Sequence, residues 1–263
     1  MTLGLKINNV SKIWNADGPN PVPAVLDFSL KVDTGEFVVL LGPSGCGKSS
    51  LLYIIAGLEN TTSGSVKFDG VEVTEPSPER SLIFQEASLY PWLTVKDNIA
   101  FGLKIAGQDV DERERVVEGL LRLVGLAGAG ERRPHELSGG MRQRAALARA
   151  LSMEPKVLLM DEPFAALDIQ TRAKMQGHLL DIWETSKASV VLVTHSIEEA
   201  LALADRVVVF TARPGQIKAE IPIDAARPRD LRSREMIDLA RQCEELLAEE
   251  VEKSFLEQEK ELI

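Results

Sequence analysis

Two cysteines, two tyrosines and three tryptophans are all that this chain of 263 residues holds of those types. Cys46 and Cys243 lie far apart in sequence, which argues against a disulfide framework and fits a reducing compartment. Long apolar runs are also missing. The longest, such as Phe37 to Leu41 and Val190 to Val193, have strand length and fall far short of the roughly 20 residues of a membrane helix. Work at a membrane would therefore need another chain to cross it. The opening residues, MTLGLKINNVSKIW, carry no apolar run behind a basic start, so no secretory signal is expected. Positive charge is short as well: 30 Lys and Arg stand against 40 Asp and Glu, a formal charge of -10. That balance argues against non-specific nucleic-acid binding, which depends on neutralising phosphates. It leaves a single nucleotide open, because a local nest of backbone N–H groups holds phosphate on an acidic protein too.

The length suits one sizeable core, or a core with a small inserted subdomain. Residues 3–10 and 25–32 alternate apolar and polar, as half-buried strands do. Phe37 to Leu41 is continuously apolar, as in a strand buried on both faces. Short apolar runs recur at Ser65–Phe68, Ser81–Phe84, Val157–Met160, Val190–Thr194 and Arg206–Phe210, with helical patterns between several of them. The expected fold is α/β: a mainly parallel sheet with an antiparallel portion near the N-terminus. From about 95 to 152 the patterns are helical (96–106, 111–124, 139–151) without a strand, which suggests an inserted helical subdomain. Residues 1–225 form the main domain in this reading. Residues 226–263 form a charged helical tail, with Leu231, Ile237, Leu239, Leu246, Leu247, Val251 and Phe255 spaced as a helical face.

Gly42-Pro43-Ser44-Gly45-Cys46-Gly47-Lys48-Ser49 matches G-x-x-x-x-G-K-[ST], after a buried strand and before the helix expected over Lys48–Leu58. The glycines let backbone N–H groups wrap phosphate, and the N–H groups at the helix start favour anions. Lys48 suits the β and γ phosphates of ATP, and the Ser49 hydroxyl suits Mg²⁺. Cys46 is either a small spacer in this loop or a reactive thiol at a helix N-terminus. Val157-Leu-Leu-Met-Asp161-Glu162 is a buried strand ending in two acids, at the sheet edge where α/β proteins bind ligands. Asp161 suits the Mg²⁺ shell, and Glu162 suits the water that attacks the γ phosphate. Leu137-Ser138-Gly139-Gly140-Met141 is a Ser-Gly-Gly turn opening a helix, hence a second anion site.

These motifs, in this order, resemble the ATP-hydrolysing subunits of ABC transporters over about 3–222. Ser138-Gly139-Gly140 looks like the family's signature turn, with Met141 where Gln is usual. Ser50 stands where Thr is usual and keeps a hydroxyl. The resemblance implies a P-loop nucleotide-hydrolase core. It assigns Gln85 to the loop that joins the metal site to the membrane partner, and Ala166-Leu167-Asp168 to the loop facing the second copy. It assigns His195 to the switch histidine beside Glu162. Trp14 is where the family usually stacks an aromatic on adenine, although an aromatic there also suits simple core. Taken alone, His135 and His178 read as surface.

Pro78-Glu79-Arg80, the segment Phe84–Val95, Thr194–Ala200, Leu203–Arg206 and Ala212-Arg213-Pro214-Gly215 look like the nitrate/sulfonate/taurine importer ATPases. That implies a peripheral protein on the cytoplasmic face of the cell membrane. It would work as a head-to-tail pair with a second copy or a homologous ATPase, and a substrate-binding protein would act indirectly. It also implies a permease contact near Tyr90, Pro91 and Trp92; the residues themselves equally allow these aromatics to be buried in the helical subdomain. Long coiled coils or a basic face, which a chromosome or repair ATPase of the same superfamily would need, are not present in the sequence.

Overall fold

The computed structural model describes residues 4–165 and 167–261, with side chains through Glu257. In chain order the elements are β1 (Leu5–Trp14), β2 (Val22–Val32), β3 (Phe37–Leu41), α1 (Lys48–Ala56), β4 (Ser63–Phe68), β5 (Val71–Glu72) and β6 (Arg80–Ile83). Then come α2 (Val95–Ile105), α3 (Val110–Leu123), α4 (Gly139–Leu151), β7 (Val157–Asp161), α5 (Ile169–Ser186), β8 (Ser189–Thr194), α6 (Ile197–Leu203), β9 (Arg206–Phe210), β10 (Ile217–Pro222) and α7 (Arg234–Glu261). The chain divides into two compact units. One joins the residues up to Ser77 with those from Ser189 onward, and the other is Pro78–Ala188.

In the first unit β1 pairs antiparallel with β2 and β4, and β4 with β5. Leu5, Ile7 and Val10 of β1, with Phe28, Leu30 and Val32 of β2, turn inward. β3 runs parallel to both β8 and β9, and β10 adds an antiparallel edge to β9. Every residue of β3 and β8 is buried, as their continuous apolar runs require. The register pairs Leu41 with Thr194, so the residues that follow, Gly42 and His195, leave neighbouring strands at the same end.

In the second unit β6 and β7 are parallel, with Ile83 opposite Met160. Helices α2, α3 and α4 share a core of Val95, Ile99, Leu103, Val117, Leu121 and Ala145. The stretch 95–152 is thus helical throughout its ordered elements, apart from a single 3-10 turn at Pro134–Glu136. Helix α5 buries Met175, Leu179 and Ile182. Among the described residues no helix is long and apolar enough to cross a membrane.

Two expectations need correction. The strands β5 and β10 are absent from the sequence reading. β5 spans two residues, and β10 is an edge strand ending in Pro222, so neither carries a clear apolar signal. The tail is one long helix, and of its buried residues only Leu247 lies on the face read from the sequence. Met236, Cys243, Leu247 and Glu250 are buried, while Ile237, Val251 and Phe255 are exposed. The spacing 236, 243, 247, 250 is the helical stripe that packs, and it includes a sulfhydryl and an acid that apolar patterning does not count.

Glu250 is 3% exposed and explains why α7 seats that way. Its carboxylate accepts from the Ala212 N–H at 2.7 Å, from Lys218 Nζ at 2.8 Å and from Lys253 Nζ at 3.0 Å. Burial alone pushes the carboxyl up. The hydrogen bonds from Lys218, Ala212 and Lys253 outweigh it and hold the group at about 2, below its ordinary 4.5. A depressed carboxyl contributes stability that is complete above its unfolded value and is lost as pH falls toward its folded one. Thermal melts from pH 6 down to pH 2.5 should therefore show the parent losing stability progressively below about pH 4.5. Glu250→Ala should cost about 2 kcal/mol at pH 7 and should flatten that acid limb.

Candidate functional site

In the first unit, β3 ends at Leu41 and the chain turns through residues 42–47 into α1. Gly47 caps the helix at φ 101. A Cβ there would lie 2.3 Å from the Ala24 carbonyl oxygen, so the position requires glycine on two counts. Lys48 is 4% exposed, and its Nζ donates to the carbonyls of Gly42 at 2.9 Å and Pro43 at 2.7 Å. The ammonium is thereby folded back over its own loop. Ser44 and Gly45 are exposed at the loop's crest, and Ser49 and Ser50 are half-buried in the first turn of α1. Cys46 is buried with Sγ 3.5 Å from Lys48 Nζ. Burial pushes its thiol up against the pull of that ammonium, the opposite of what a reactive thiolate needs.

His195, exposed, stands one residue beyond β8 and beside the start of this loop in register. The next residue, Ser196, caps α6 by accepting from the Glu199 N–H, and the Thr194 hydroxyl donates to the buried Glu199 at 2.7 Å. The backbone on either side of His195 is thus fixed. Trp14 closes β1 with Lys12 Nζ 4.2 Å over its ring. Lys12 is itself held by Glu59 at 3.0 Å and the Asn60 carbonyl at 2.9 Å, so one indole face is taken and only the other is left for a base.

The second unit places acidic and amide groups at parallel strand ends. Asp161, 3% exposed, ends β7, and Glu162 follows at φ 45. A left-handed conformation is uncommon for a residue of this shape and concentrates at functional sites. Gln85 is exposed two residues beyond β6, the strand beside β7. Ser138 caps α4 by accepting from the Met141 N–H at 3.3 Å, and Gly139 and Gly140 open the helix. A Cβ on Gly140 would meet Leu167 at 3.0 Å, which sets the signature turn against the residue before Asp168. Asp168 caps α5 through the N–H groups of Gln170 and Thr171. The hydrogen bonds from Thr171, foremost, hold its carboxyl below the ordinary range. Ala166 lies outside the described residues. Met141, where Gln is usual, packs on the helical core. His135 and His178 are exposed.

The structure therefore brings together two sets: Gly42–Ser50 with His195 in the first unit, and Gln85 with Asp161 and Glu162 in the second. Ser138–Gly140 stands beside the Asp168 turn. The oxygens of Ser49, Gln85 and Asp161 are the hard donors that Mg²⁺ prefers. Sequence reasoning missed the groups that hold these loops. Gln143 is buried and donates to the carbonyls of Phe84 and Gln85, both at 3.4 Å. Arg149 donates to the Ser88 carbonyl at 2.8 Å. One face of α4 thus grips the segment that carries Gln85. A groove of about 460 Å³ lies there, lined by Gln85, Ser88, Leu89, Gly139, Arg142 and Gln143 among others.

The aromatic turn splits in two. Tyr90 is half-buried, stacked on Phe101 at 4.5 Å between ring centres and lying under Arg149. Pro91 is exposed, and Trp92 is 68% exposed. Asn98, fully buried, stitches the turn. Its oxygen accepts from the Tyr90 N–H at 2.8 Å, and its amide donates to the carbonyls of Tyr90, Leu93 and Thr94. The spacing of an isolated Asn carries no signal for this.

Residues 25–165 match the family model described as ABC transporter. The chain is 47% identical over 255 residues to an uncharacterized ABC transporter ATP-binding protein of Methanocaldococcus jannaschii, covering 97% of this chain and 95% of that one. It is 46% identical to a nitrate import ATP-binding protein of Synechocystis, over 84% of this chain and 82% of the relative. It is 49% identical to a taurine import ATP-binding protein of Sinorhizobium fredii, over 83% and 82%. A dimeric ATP-binding cassette solved in a post-hydrolysis state with ADP and Pi superposes at a TM-score of 0.76 and 30% identity, covering 84% of this chain and all of that one.

Replacing Asn98 by Ala removes a hydrogen bond from each of four backbone groups at the turn; the Tyr90 and Thr94 carbonyls keep the N–H groups of Leu93 and residue 98, while the Tyr90 N–H and the Leu93 carbonyl lose the bond that Asn98 supplied. Asn98→Ala should lose about 2–3 kcal/mol in denaturant unfolding and should move the Trp92 emission toward that of a fully solvated indole.

Proposed function

The chain belongs to the ABC transporter ATP-binding family and is an ATPase, and from that premise we propose that it drives an importer of small solutes of the nitrate, sulfonate or taurine kind. The observation that carries this reading is the 46% and 49% identity to nitrate and taurine import ATP-binding proteins, across more than four-fifths of the chain. It sits as a peripheral protein on the cytoplasmic face of the cell membrane, docked to permease subunits, with a substrate-binding protein acting through them.

In this reading the N–H groups of residues 44–49 and the Lys48 ammonium hold the β and γ phosphates of ATP. Lys48 exchanges its two loop carbonyls for phosphate oxygens. Ser50 supports the α phosphate side, and Trp14 presents its open face to adenine. Ser49, Gln85 and Asp161 would be the residues to hold Mg²⁺, which would supply positive charge to offset that of the phosphates. Glu162 orients the water and draws its proton as the oxygen attacks the γ phosphorus. The bond to the β–γ bridging oxygen breaks, and ADP and phosphate result. His195 stabilises the γ phosphate during transfer. The similar cassette is dimeric, which supports a two-fold pair of this chain, or of this chain and a homologous ATPase. Each ATP then lies between one copy's Lys48 loop and the other copy's Ser138-Gly139-Gly140, with Asp168 at the seam.

Glu162→Gln tests the pair. It keeps the shape of the side chain but loses the carboxylate, so hydrolysis should fall by at least about a hundredfold while ATP binding persists. Sizing by light scattering should show an ATP-held dimer of this variant that dissolves on nucleotide removal.

Trp92 tests the docking. It is exposed, aromatic and held on a stitched turn, as an interface anchor is. Trp92→Ala should cost about 2 kcal/mol of permease binding. Transport and co-purification should drop together, while ATP hydrolysis by the isolated chain is unchanged.

A further inference from the structure

We propose that Ser254, near the end of α7, is a positioning residue for phosphate binding that acts through the Ser44–Gly45 peptide. The inference rests on the reading that residues 42–49 cradle the phosphates of ATP.

The Ser254 hydroxyl donates to the carbonyl of Ser44 at 3.0 Å, across 210 residues of sequence. Ser44 and Gly45 form the exposed crest of the loop, and the peptide between them is trans. In a planar trans peptide the carbonyl of one residue and the N–H of the next point in opposite directions. Holding the Ser44 carbonyl toward α7 therefore turns the Gly45 N–H away from α7. Gly45 needs such a constraint. It has φ 79, and apart from its chain neighbours no atom lies within 4 Å of where its Cβ would be, so nothing packs on that side of Gly45. A glycine-flanked peptide left to itself rotates readily, and every N–H that must be re-aimed on binding weakens the hold on an anion.

The hydroxyl is in turn fixed relative to the loop. Gly215 lies against the loop's base, where a Cβ would come within 2.3 Å of the Cys46 carbonyl oxygen. The Gly215 N–H donates to the Ala24 carbonyl at 2.8 Å, and that same carbonyl limits Gly47. Glu250, one helical turn before Ser254, accepts from the Ala212 N–H of this hairpin. The segment that backs the loop from below and the helix that holds its crest are therefore joined by a buried carboxylate. Nothing in the phosphate motif itself points to a residue more than two hundred positions away.

The test uses the full chain with Ser254→Ala and Ser254→Thr. ADP affinity is measured by titration calorimetry, and KM and kcat by ATP hydrolysis. Ser254→Ala should raise the ADP Kd and the KM for ATP roughly two- to tenfold, with a smaller change in kcat, and Ser254→Thr, which keeps the hydroxyl, should restore both. Parental ADP affinity in a folded Ser254→Ala chain overturns the proposal. Should alanine loosen α7, Ser254→Cys, near-isosteric but a weak donor, must lose affinity in the same direction, and parental binding by it also overturns the proposal. Lys48→Ala in the same titration separates the two layers. If it binds ADP and hydrolyses ATP like the parent, the cradle assignment falls and this inference with it. If Lys48→Ala loses binding while Ser254→Ala keeps it, only the role of Ser254 is removed.

Discussion

A loop that offers its N–H groups to an anion cannot also use them to hold its own shape, so its rigidity has to come from its carbonyls and from what packs behind it. The segment 42–47 meets that constraint with borrowed partners. Lys48 holds the Gly42 and Pro43 carbonyls until phosphate oxygens take their place, Ser254 holds that of Ser44, and the Gly47 carbonyl accepts from the Leu51 N–H within α1. Ala24 and Gly215 press on its base closely enough that glycine is needed at 47 and at 215. The buried β3, and the neighbours that run parallel to it, keep the whole arrangement at one sheet end.

The second unit solves a related problem with side chains. In the segment after β6, α4 supplies Gln143 to the carbonyls of Phe84 and Gln85 and Arg149 to that of Ser88. The same helix begins at the Ser138-Gly139-Gly140 turn. Displacement of the turn and displacement of the Gln85 segment are therefore mechanically linked through one rigid element. Asn98 does for the Tyr90–Thr94 turn what Gln143 does for Gln85. In both cases one buried amide satisfies backbone groups that would otherwise resist burial.

Much of this was legible in the sequence. The run Phe37–Leu41 ahead of Gly42–Ser49 and the run Val157–Met160 ahead of Asp161-Glu162 are local signals, because burial on both faces demands continuous apolar residues. Asp161 and Glu162 stood out because they end such a run, whereas Gln85 and His195 were assigned only through the resemblance to the family. What escaped notice depends on long-range partners. Gln143, Asn98 and Glu250 look like ordinary surface residues until the segment they serve is known. The face of α7 escaped for a related reason: the ranking of apolar side chains favoured Ile237, Val251 and Phe255, whereas the packing stripe contains Cys243 and a carboxylate stabilised by three donors. Met141 shows the reverse case. It stands where the family usually has Gln, and its side chain packs against the helical core, leaving Ser138, Gly139 and Gly140 to open α4 unaltered.

The direction of α7 has a practical corollary for anyone handling the protein. From Ser254 to Glu261 is seven residues of helix, about 10 Å at 1.5 Å per residue, so the end of the helix lies close to the crest of the nucleotide loop rather than at a remote pole. An affinity tag, fluorophore or fusion partner attached beyond it would share that neighbourhood with the loop of residues 42–47. Val71, exposed on the two-residue strand β5 of the same unit, offers a labelling position that avoids the end of α7.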